Sequence, residues 1–190
     1  MPGNMEMHQY EVKVPKERIA VIIGDKGEKK RELEEALGVR MQIDSDEGDV
    51  ILTGKDPIAL FTGREVIKAI ARGFNPDVAK QLLKSDYLLE IVNIGDYAGG
   101  KNQMIRLKGR VIGEGGKSRS TIEELAEVNI SVYGKTIAII GLTDNVGAAK
   151  RAIDALLTGA PHSTVFRLLE KLRRDMKRKD LEGFNQRREE

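Results

Sequence analysis

Two short glycine motifs contain the residues of this sequence whose types and spacing could do chemistry. The first is VIIGDKG, from Val21 to Gly27, and the second is RVIGEGG, from Arg110 to Gly116. In both, an aliphatic pair precedes a glycine, two unlike residues and a second glycine. Glycines at this spacing allow a tight turn that exposes main-chain N–H groups with no side chain in the way. Such a turn can bind the phosphates of a nucleic-acid backbone.

Basic residues are concentrated around both motifs, although the whole chain of 190 residues has a net charge of only +2. The stretch 101–120 contains six basic residues and one acidic residue, and the stretch 13–31 contains seven and three. Because clustered positive charge attracts polyanions, this distribution favours a nucleic-acid partner.

The residue types that catalysis and metal binding usually need are scarce. The chain has no cysteine, and its two histidines, His8 and His162, are far apart in the sequence. The sequence therefore contains neither a thiolate site nor a histidine cluster with the spacing of metal ligands. The sequence predicts no catalytic residue, no metal site and no cofactor.

Two stretches partly match the phosphate-binding loop of nucleotide hydrolases, G-x-x-x-x-G-K-[ST]. GDYAGGK, residues 95–101, has the required spacing, but Asn102 stands where a hydroxyl would bind magnesium. GKS, residues 116–118, ends the motif correctly, but Val111 replaces its first glycine. A nucleotide hydrolase is therefore the less favoured alternative of a different class.

The two glycine motifs belong to an internal repeat. Residues 22–43 align with residues 111–132 at a constant offset, and the segments after them correspond in the same order. In each copy, hydrophobic periodicity predicts a strand, a helix, the glycine loop, a second helix, two strands and a longer helix. A further helix follows in both copies. The last one, at about 163–181, is amphipathic through Val165, Leu168, Leu172 and Met176.

This order of elements is that of the eukaryotic-type (type I) KH domain, whose GXXG loop clamps about four nucleotides of single-stranded nucleic acid. The sequence therefore predicts an α+β fold of two tandem type I KH domains, each βααββα with an additional C-terminal helix. We expect the first domain at residues 1–84, the second at 85–182, and a flexible tail at 183–190.

Three stretches of the second copy resemble one family of tandem-KH proteins, the Partner of Nob-one family, in its archaeal branch. They are KGRVIGEGGKSRSTIEE, ISVYGKTIAIIG and GAPHSTVFRLLEKL, and the similarity runs from about Tyr10 to Lys179. Membership implies a small-subunit ribosome-assembly protein that binds single-stranded RNA near the 3′ end of small-subunit ribosomal RNA. It implies partnership with the PIN-domain endonuclease that matures this end and with other assembly factors, and no catalysis by this chain.

The resemblance also implies which residues of the second copy contact RNA. They are Arg110, Gly113, Glu114, Gly115, Gly116, Lys117 and Arg119, to which we add Ile112 as a wall for bases and Ser118 between the two basic residues. In the first copy, the glycine loop and its basic flank predict RNA contact by Ile23, Gly24, Asp25, Lys26, Gly27, Lys29 and Lys30.

The second loop is predicted to be the main clamp, because its flanks carry the larger surplus of positive charge and Gly115 leaves more room than Lys26. Eukaryotic family members lack the glycine loop in their first copy. Gly24 and Gly27 are present here, so whether the first loop binds RNA stays open.

One alternative within the RNA-binding proteins stays open. A KH subunit of another RNA machine, such as an exosome cap or a translation-linked factor, usually adds an S1-type barrel, and this sequence contains no such segment. We expect a cytoplasmic protein with no membrane partner, because no apolar run approaches bilayer length and the polar N-terminus does not resemble a signal peptide.

Overall fold

The computed structural model describes residues 7–186 of the chain, and side chains as far as residue 178. The chain divides into two compact units between Leu89 and Glu90. Both units have the predicted order of strand, helix, glycine loop, helix, two strands and long helix. The glycine loops therefore occupy the same place in each copy of the repeat.

The first unit begins with strand β1 (His8–Lys13) and helix α1 (Lys16–Ile23), and the glycine loop joins α1 to helix α2 (Glu28–Leu37). Strands β2 (Arg40–Asp44) and β3 (Asp49–Gly54) and helix α3 (Pro57–Ala71) follow. The antiparallel sheet has the order β1-β3-β2. The additional helix is short: α4 (Pro76–Ala79) continues as a 3₁₀ turn to Leu83.

The second unit repeats this arrangement with a longer last helix. Its sheet has the order β4-β6-β5. Its elements are β4 (Tyr87–Asn93), α5 (Lys101–Ile112), α6 (Lys117–Ala126), β5 (Asn129–Tyr133), β6 (Thr136–Leu142), α7 (Thr143–Leu157) and α8 (His162–Gln186).

Each unit buries its own apolar set at the positions that helical and strand periodicity predict. In the first unit, Ile22 of α1, Leu33 of α2 and Ile70 of α3 are fully buried. In the second unit, Val111 of α5 and Ile122 of α6 occupy the matching places. Because these residues come from the helices that flank the loop, the core fixes the position of each loop relative to its sheet.

Helix α8 packs on α6 and α7 through a stripe that differs from the predicted one at its second position. Val165 and Leu169 are buried, whereas Leu168 is 43% exposed. Leu172 and Met176 are half-buried, as the amphipathic pattern predicts. The helix continues to Gln186, within the predicted tail at 183–190, and residues 187–190 lie outside the described residues.

None of the described helices combines the length and the apolar content that a membrane span requires.

The limits of the predicted domains lead to a first test. The predicted join at residues 84 and 85 precedes all of β4, whereas the two units divide within this strand. We expect a fragment of residues 85–190 to melt cooperatively, because it keeps the whole strand and its own buried core. A matched fragment of residues 90–190 begins inside β4 and should melt at a lower temperature. Thermal unfolding followed by circular dichroism checks both, and a gradual loss of signal by the longer fragment would contradict the proposed boundary.

Candidate nucleic-acid interface

The two GXXG loops follow nearly the same backbone path. The first glycine has φ/ψ of 67°/−172° at Gly24 and 74°/175° at Gly113. The last glycine is left-handed in both loops, with φ of 75° at Gly27 and 81° at Gly116. The repeat therefore extends to the dihedral angles of the loop, and either loop has the turn that the sequence predicts.

The first glycine of each loop is required by close packing. A Cβ atom added to Gly113 would lie 2.6 Å from Cβ and 2.7 Å from the main-chain nitrogen of Ser118. One added to Gly24 would lie 2.5 Å from Cβ of Lys29. The loop thus closes against the first turn of the following helix, and a side chain at this position would push them apart.

The third position of the loop is open in both copies but differs in residue type. Lys26 and Gly115 are both left-handed, with φ of 46° and 58°. A Cβ atom added to Gly115 would meet no described atom within 4 Å. The turn therefore accepts a side chain here, as Lys26 demonstrates, and Gly115 leaves that space free for a ligand.

The helices that follow the loops present main-chain N–H groups to this space. Helix α2 begins after Gly27 and helix α6 after Gly116, and neither has a side-chain cap among the described residues. The N–H groups of Glu28 and Lys117 donate to the loop carbonyls of Asp25 and Glu114. The N–H groups that come next have no partner within the helix, and the helix dipole makes this end positive. An anion such as a phosphate group fits this environment.

In the first copy, the positive charge of Lys29, which follows the loop, is compensated by ion pairs within the protein. Nζ of Lys29 lies 2.5 Å from a carboxylate oxygen of Glu32 and 3.8 Å from one of Asp77. Lys80 also pairs with both acidic residues. The hydrogen bonds from Lys29 and Lys80 lower the pKa of Glu32 to about 2, so this carboxylate stays charged. Lys26 is exposed and Lys30 is half-buried, and the structure shows no ion pair for either among the described residues.

In the second copy, the cation nearest to the loop is free. Lys117 is exposed and has no ion pair within the described part of the chain. Arg119 is half-buried and pairs with Glu123, with 3.6 Å between Nε and Oε2. Ile112 is half-buried immediately before the loop, as Ile23 is in the first copy. Glu114, like Asp25 in the first copy, is an exposed acidic residue within the loop itself.

Two predicted contact residues of the second copy have other roles in the structure. Ser118 is only 5% exposed, because it packs against Gly113, so its side chain is not accessible to a ligand. The Arg110 guanidinium donates hydrogen bonds to main-chain carbonyls at the end of α7. RNA contact by these two side chains stays a prediction that this packing does not favour.

The turns between the paired strands differ in charge between the copies, a difference that the site prediction did not use. In the second copy, Nζ of Lys108 on α5 donates to the Gly134 carbonyl at 3.0 Å, which holds the β5–β6 turn beside the loop-bearing helix. That turn contains Tyr133 and Lys135. The β2–β3 turn of the first copy instead carries four carboxylates, at Asp44, Asp46, Glu47 and Asp49. The pKa of Asp44 is lowered because main-chain N–H groups of Glu47 and Asp46 donate to it.

The residues that the structure describes contain no group of His, Asp and Glu that could hold a metal ion. The segment that partly matches a phosphate-binding loop forms a 3₁₀ turn at Ile94–Tyr97, and Lys101 then begins α5 as an exposed residue. The described site is thus one of loops, amides and cations, and its chemistry is that of binding an anionic chain.

Comparison with protein families supports both copies of the fold. Residues 88–174 match the second KH domain of PNO1, described as a eukaryotic type KH-domain (KH-domain type I), and residues 9–69 match the KH domain. The predicted fold of two type I KH domains is confirmed.

Among curated proteins, the KH domain-containing protein MJ0443 of Methanocaldococcus jannaschii is 47% identical over 171 residues, which are 88% of this chain and 75% of that protein. The pre-rRNA-processing protein pno1 of Schizosaccharomyces pombe is 34% identical over 116 residues, which are 59% of this chain and 47% of that protein. The chain thus matches about half the length of this eukaryotic relative.

Among solved structures, Dim2p from Pyrococcus horikoshii has a TM-score of 0.81 and 42% identity, with 86% of this chain and 99% of that chain covered. The complex of a/eIF2alpha, aDim2p and rRNA from the same organism contains a chain with a TM-score of 0.85 and 41% identity, covering 90% of this chain and 97% of that one. A protein of unknown function from Aeropyrum pernix has a TM-score of 0.90 and 38% identity, covering 96% and 99%.

Proposed function

Because the chain belongs to the Partner of Nob-one (PNO1) family of tandem-KH proteins, we propose that it binds single-stranded RNA in assembly of the small ribosomal subunit. The RNA would be the 3′ region of small-subunit ribosomal RNA, which is matured at that end. The names of the relatives support this proposal, since pno1 is called a pre-rRNA-processing protein and a solved Dim2p relative was crystallised with rRNA.

The observation that carries the proposal is the second GXXG loop. Its third position is open at Gly115, the N–H groups of α6 lie behind it, and Lys117 is free to contact a phosphate. A sugar-phosphate backbone can approach such a loop closely, while the aliphatic residue before it, Ile112, lines a place for a base. The predicted RNA-binding set of this copy accordingly centres on residues 112–117.

We propose further that the second loop is the main clamp and the first a secondary one. Lys29 is held by Glu32 and Asp77, so its charge is compensated within the protein. Of the four carboxylates of the β2–β3 turn, Asp49 pairs with Lys13 at 2.8 Å. The other three repel phosphates, whereas the β5–β6 turn contains Lys135. The loops share a backbone path and differ at the third position, which Gly115 leaves open and Lys26 fills with an exposed cation.

The remaining parts of the proposal concern partners. The chain would hold the RNA without contributing a catalytic group, and the PIN-domain endonuclease would cleave it in the cytoplasm. Other assembly factors would join the same particle. The solved Pyrococcus complex contains a/eIF2alpha beside aDim2p and rRNA, which supports binding of a further protein partner together with RNA.

Salt dependence tests the proposed mode of binding. If cations and amides of the loops hold phosphates, the affinity for a single-stranded RNA falls linearly on a log–log plot of affinity against salt concentration. The slope should be about −0.7 for each phosphate neutralised. Fluorescence anisotropy at several salt concentrations measures it.

Duplex RNA of the same sequence is the control, and it should bind much more weakly because paired bases cannot enter the groove. Equal affinity for the two forms would contradict the proposal. The nucleotide-hydrolase alternative instead requires magnesium-dependent binding of ATP or GTP that is lost in Lys101→Ala.

A further inference from the structure

In the second unit, the guanidinium of Arg110 joins α5, the helix before the loop, to the end of α7. Nε of Arg110 donates to the Leu156 carbonyl at 3.0 Å, and Nη2 donates to the Ala160 carbonyl at 2.7 Å. Leu156 is in the last turn of α7, and its carbonyl also accepts from the Gly159 main-chain N–H at 3.2 Å. Arg110 lies three residues before Gly113, so these two bonds fix the last turn of α5 immediately before the loop.

The first unit contains the same joint, made from a different position. Nε of Arg18 donates to the Ile70 carbonyl at 2.9 Å, and Nη2 donates to the Phe74 carbonyl at 2.5 Å. Ile70 and Phe74 correspond to Leu156 and Ala160 in the repeat. Arg18, however, does not correspond to Arg110, because it lies one helical turn earlier relative to the loop.

The repeat therefore preserves the contact between a guanidinium and these two carbonyls, but not the position of the arginine. When the loops are aligned, Arg18 matches the buried Leu107, and Arg110 matches Val21. In each unit a guanidinium thus binds the corresponding pair of carbonyls, but the two arginines lie on different turns of the helix before the loop. A planar guanidinium suits this task because it presents two N–H donors in a fixed geometry.

The second unit adds one more contact to the joint, from the additional helix α8. Nε2 of His162, the first residue of α8, lies 2.7 Å from the main-chain carbonyl oxygen of Arg110. Because a carbonyl only accepts hydrogen bonds, the His162 ring must donate through an Nε2–H group. The last turn of α5 is thereby held by two sets of contacts. The Arg110 side chain binds carbonyls at the end of α7, and the Arg110 carbonyl accepts from His162 of α8.

We infer that Arg110 and His162 are positioning residues that set the second GXXG loop for RNA, and that Arg110 does not bind a phosphate. This inference rests on the proposed function. The Arg110 side chain acts by holding α5 at the end of α7, and His162 makes helix α8 part of the support of the loop. Removal of either should weaken RNA binding without changing the number of phosphates that the protein neutralises.

The variant Arg110→Lys separates positioning from phosphate contact. Lysine keeps the charge and can bind a phosphate, but it cannot donate two bonds in the geometry of the guanidinium. We expect affinity for single-stranded RNA to fall about tenfold, the loss of well-formed bonds from a charged donor, with the log–log salt slope unchanged. Anisotropy titrations at several salt concentrations, below the melting temperature of each protein, provide both quantities.

Two matched controls accompany this variant. Arg18→Lys removes the same pair of bonds from the first unit and should lower the melting temperature similarly, yet leave RNA affinity near that of the wild type. Lys117→Ala removes a proposed phosphate contact and should reduce the steepness of the salt slope by about 0.7.

The helix α8 contact has its own pair of variants. His162→Gln keeps an N–H donor at the position of Nε2 and should bind RNA nearly as well as the wild type, whereas His162→Ala should lose affinity with the slope unchanged. Equal RNA affinity of the wild type, Arg110→Lys, His162→Gln and His162→Ala would overturn the inference.

A lower slope in Arg110→Ala would also overturn it, because Arg110 would then be a phosphate contact. Loss of RNA affinity in Arg18→Lys to the same degree as in Arg110→Lys would show an effect of general stability. If Lys117→Ala leaves both affinity and slope unchanged, the proposed function itself fails at this loop.

Discussion

Replacing Gly113 with alanine is expected to destabilise the second unit by about 3 kcal/mol or more and to abolish RNA binding through its loop. The φ/ψ values of 74°/175° belong to a region that is essentially restricted to glycine, and the new Cβ would lie 2.7 Å from the Ser118 main-chain nitrogen. A backbone atom in the first turn of α6 cannot move without moving the helix. Thermal unfolding should show the second unit melting more than about 12 °C lower.

The matched control is Gly115→Ala, two residues further along the same loop. Its φ of 58° is also unfavourable for alanine, at about 1–2 kcal/mol, but no described atom lies within 4 Å of the new Cβ. The two variants add the same methyl group, so the difference between them measures the close packing at Gly113 together with its glycine-restricted backbone conformation. A melting temperature for Gly113→Ala no lower than that of Gly115→Ala would contradict the packing described for this loop.

The fold could be predicted from the sequence because local signals and the repeat agree. The loop glycines, the glycines after α3 and α7, and the apolar periods occur twice in the same order, which excludes most alternative element assignments. Glu127 is one exception, because it ends α6 where Gly38 ends α2. The stripe of α8 is the other. Spacings through Leu168 and through Leu169 are equally helical, and the packing of α8 on α6 and α7 decides that Leu169 is buried.

The sequence predicts the loops as turns that expose amides. It does not predict whether the residues next to each loop are buried or exposed. Ser118 follows the loop by two residues and reads as a surface residue between Lys117 and Arg119. It is buried because the first turn of α6 closes on Gly113, a consequence of dihedral angles that the sequence does not display.

Arg110 and Lys29 show why charges counted along a sequence overestimate those available for RNA. Arg110 donates to main-chain carbonyls 46 and 50 residues later, and any residue type provides such an acceptor. Lys29 pairs at 2.5 Å with Glu32, three residues later on the same helix, and lies 3.8 Å from Asp77, far outside the basic stretch. The contacts of Arg110 and of Asp77 form between elements, so a window of sequence cannot detect them.

The variant Gly115→Asp is expected to weaken RNA binding by about 1–3 kcal/mol, because it places a carboxylate where the phosphate backbone passes. The fold should tolerate the change. Aspartate is among the residues that adopt left-handed dihedral angles most readily, Lys26 does so at the same place in the first loop, and the space around Gly115 is empty of described atoms.

The matched variant Lys26→Asp should cost less RNA affinity, although it changes the net charge by two units and Gly115→Asp changes it by one. A protein that attracted RNA through its overall charge alone would show the opposite order. The expected order therefore depends on the second loop being the main clamp, which is the central claim.

The direct test is the affinity of wild type, Gly115→Asp and Lys26→Asp for a single-stranded RNA with the 3′-terminal sequence of archaeal small-subunit ribosomal RNA. Melting temperatures of the three proteins, measured in the same buffer, establish that all are folded at the temperature of the titration. We predict a loss of roughly five- to 150-fold for Gly115→Asp and a smaller loss for Lys26→Asp. If folded Gly115→Asp binds this RNA as tightly as the wild type, or if Lys26→Asp loses more affinity, the second loop is not the main clamp.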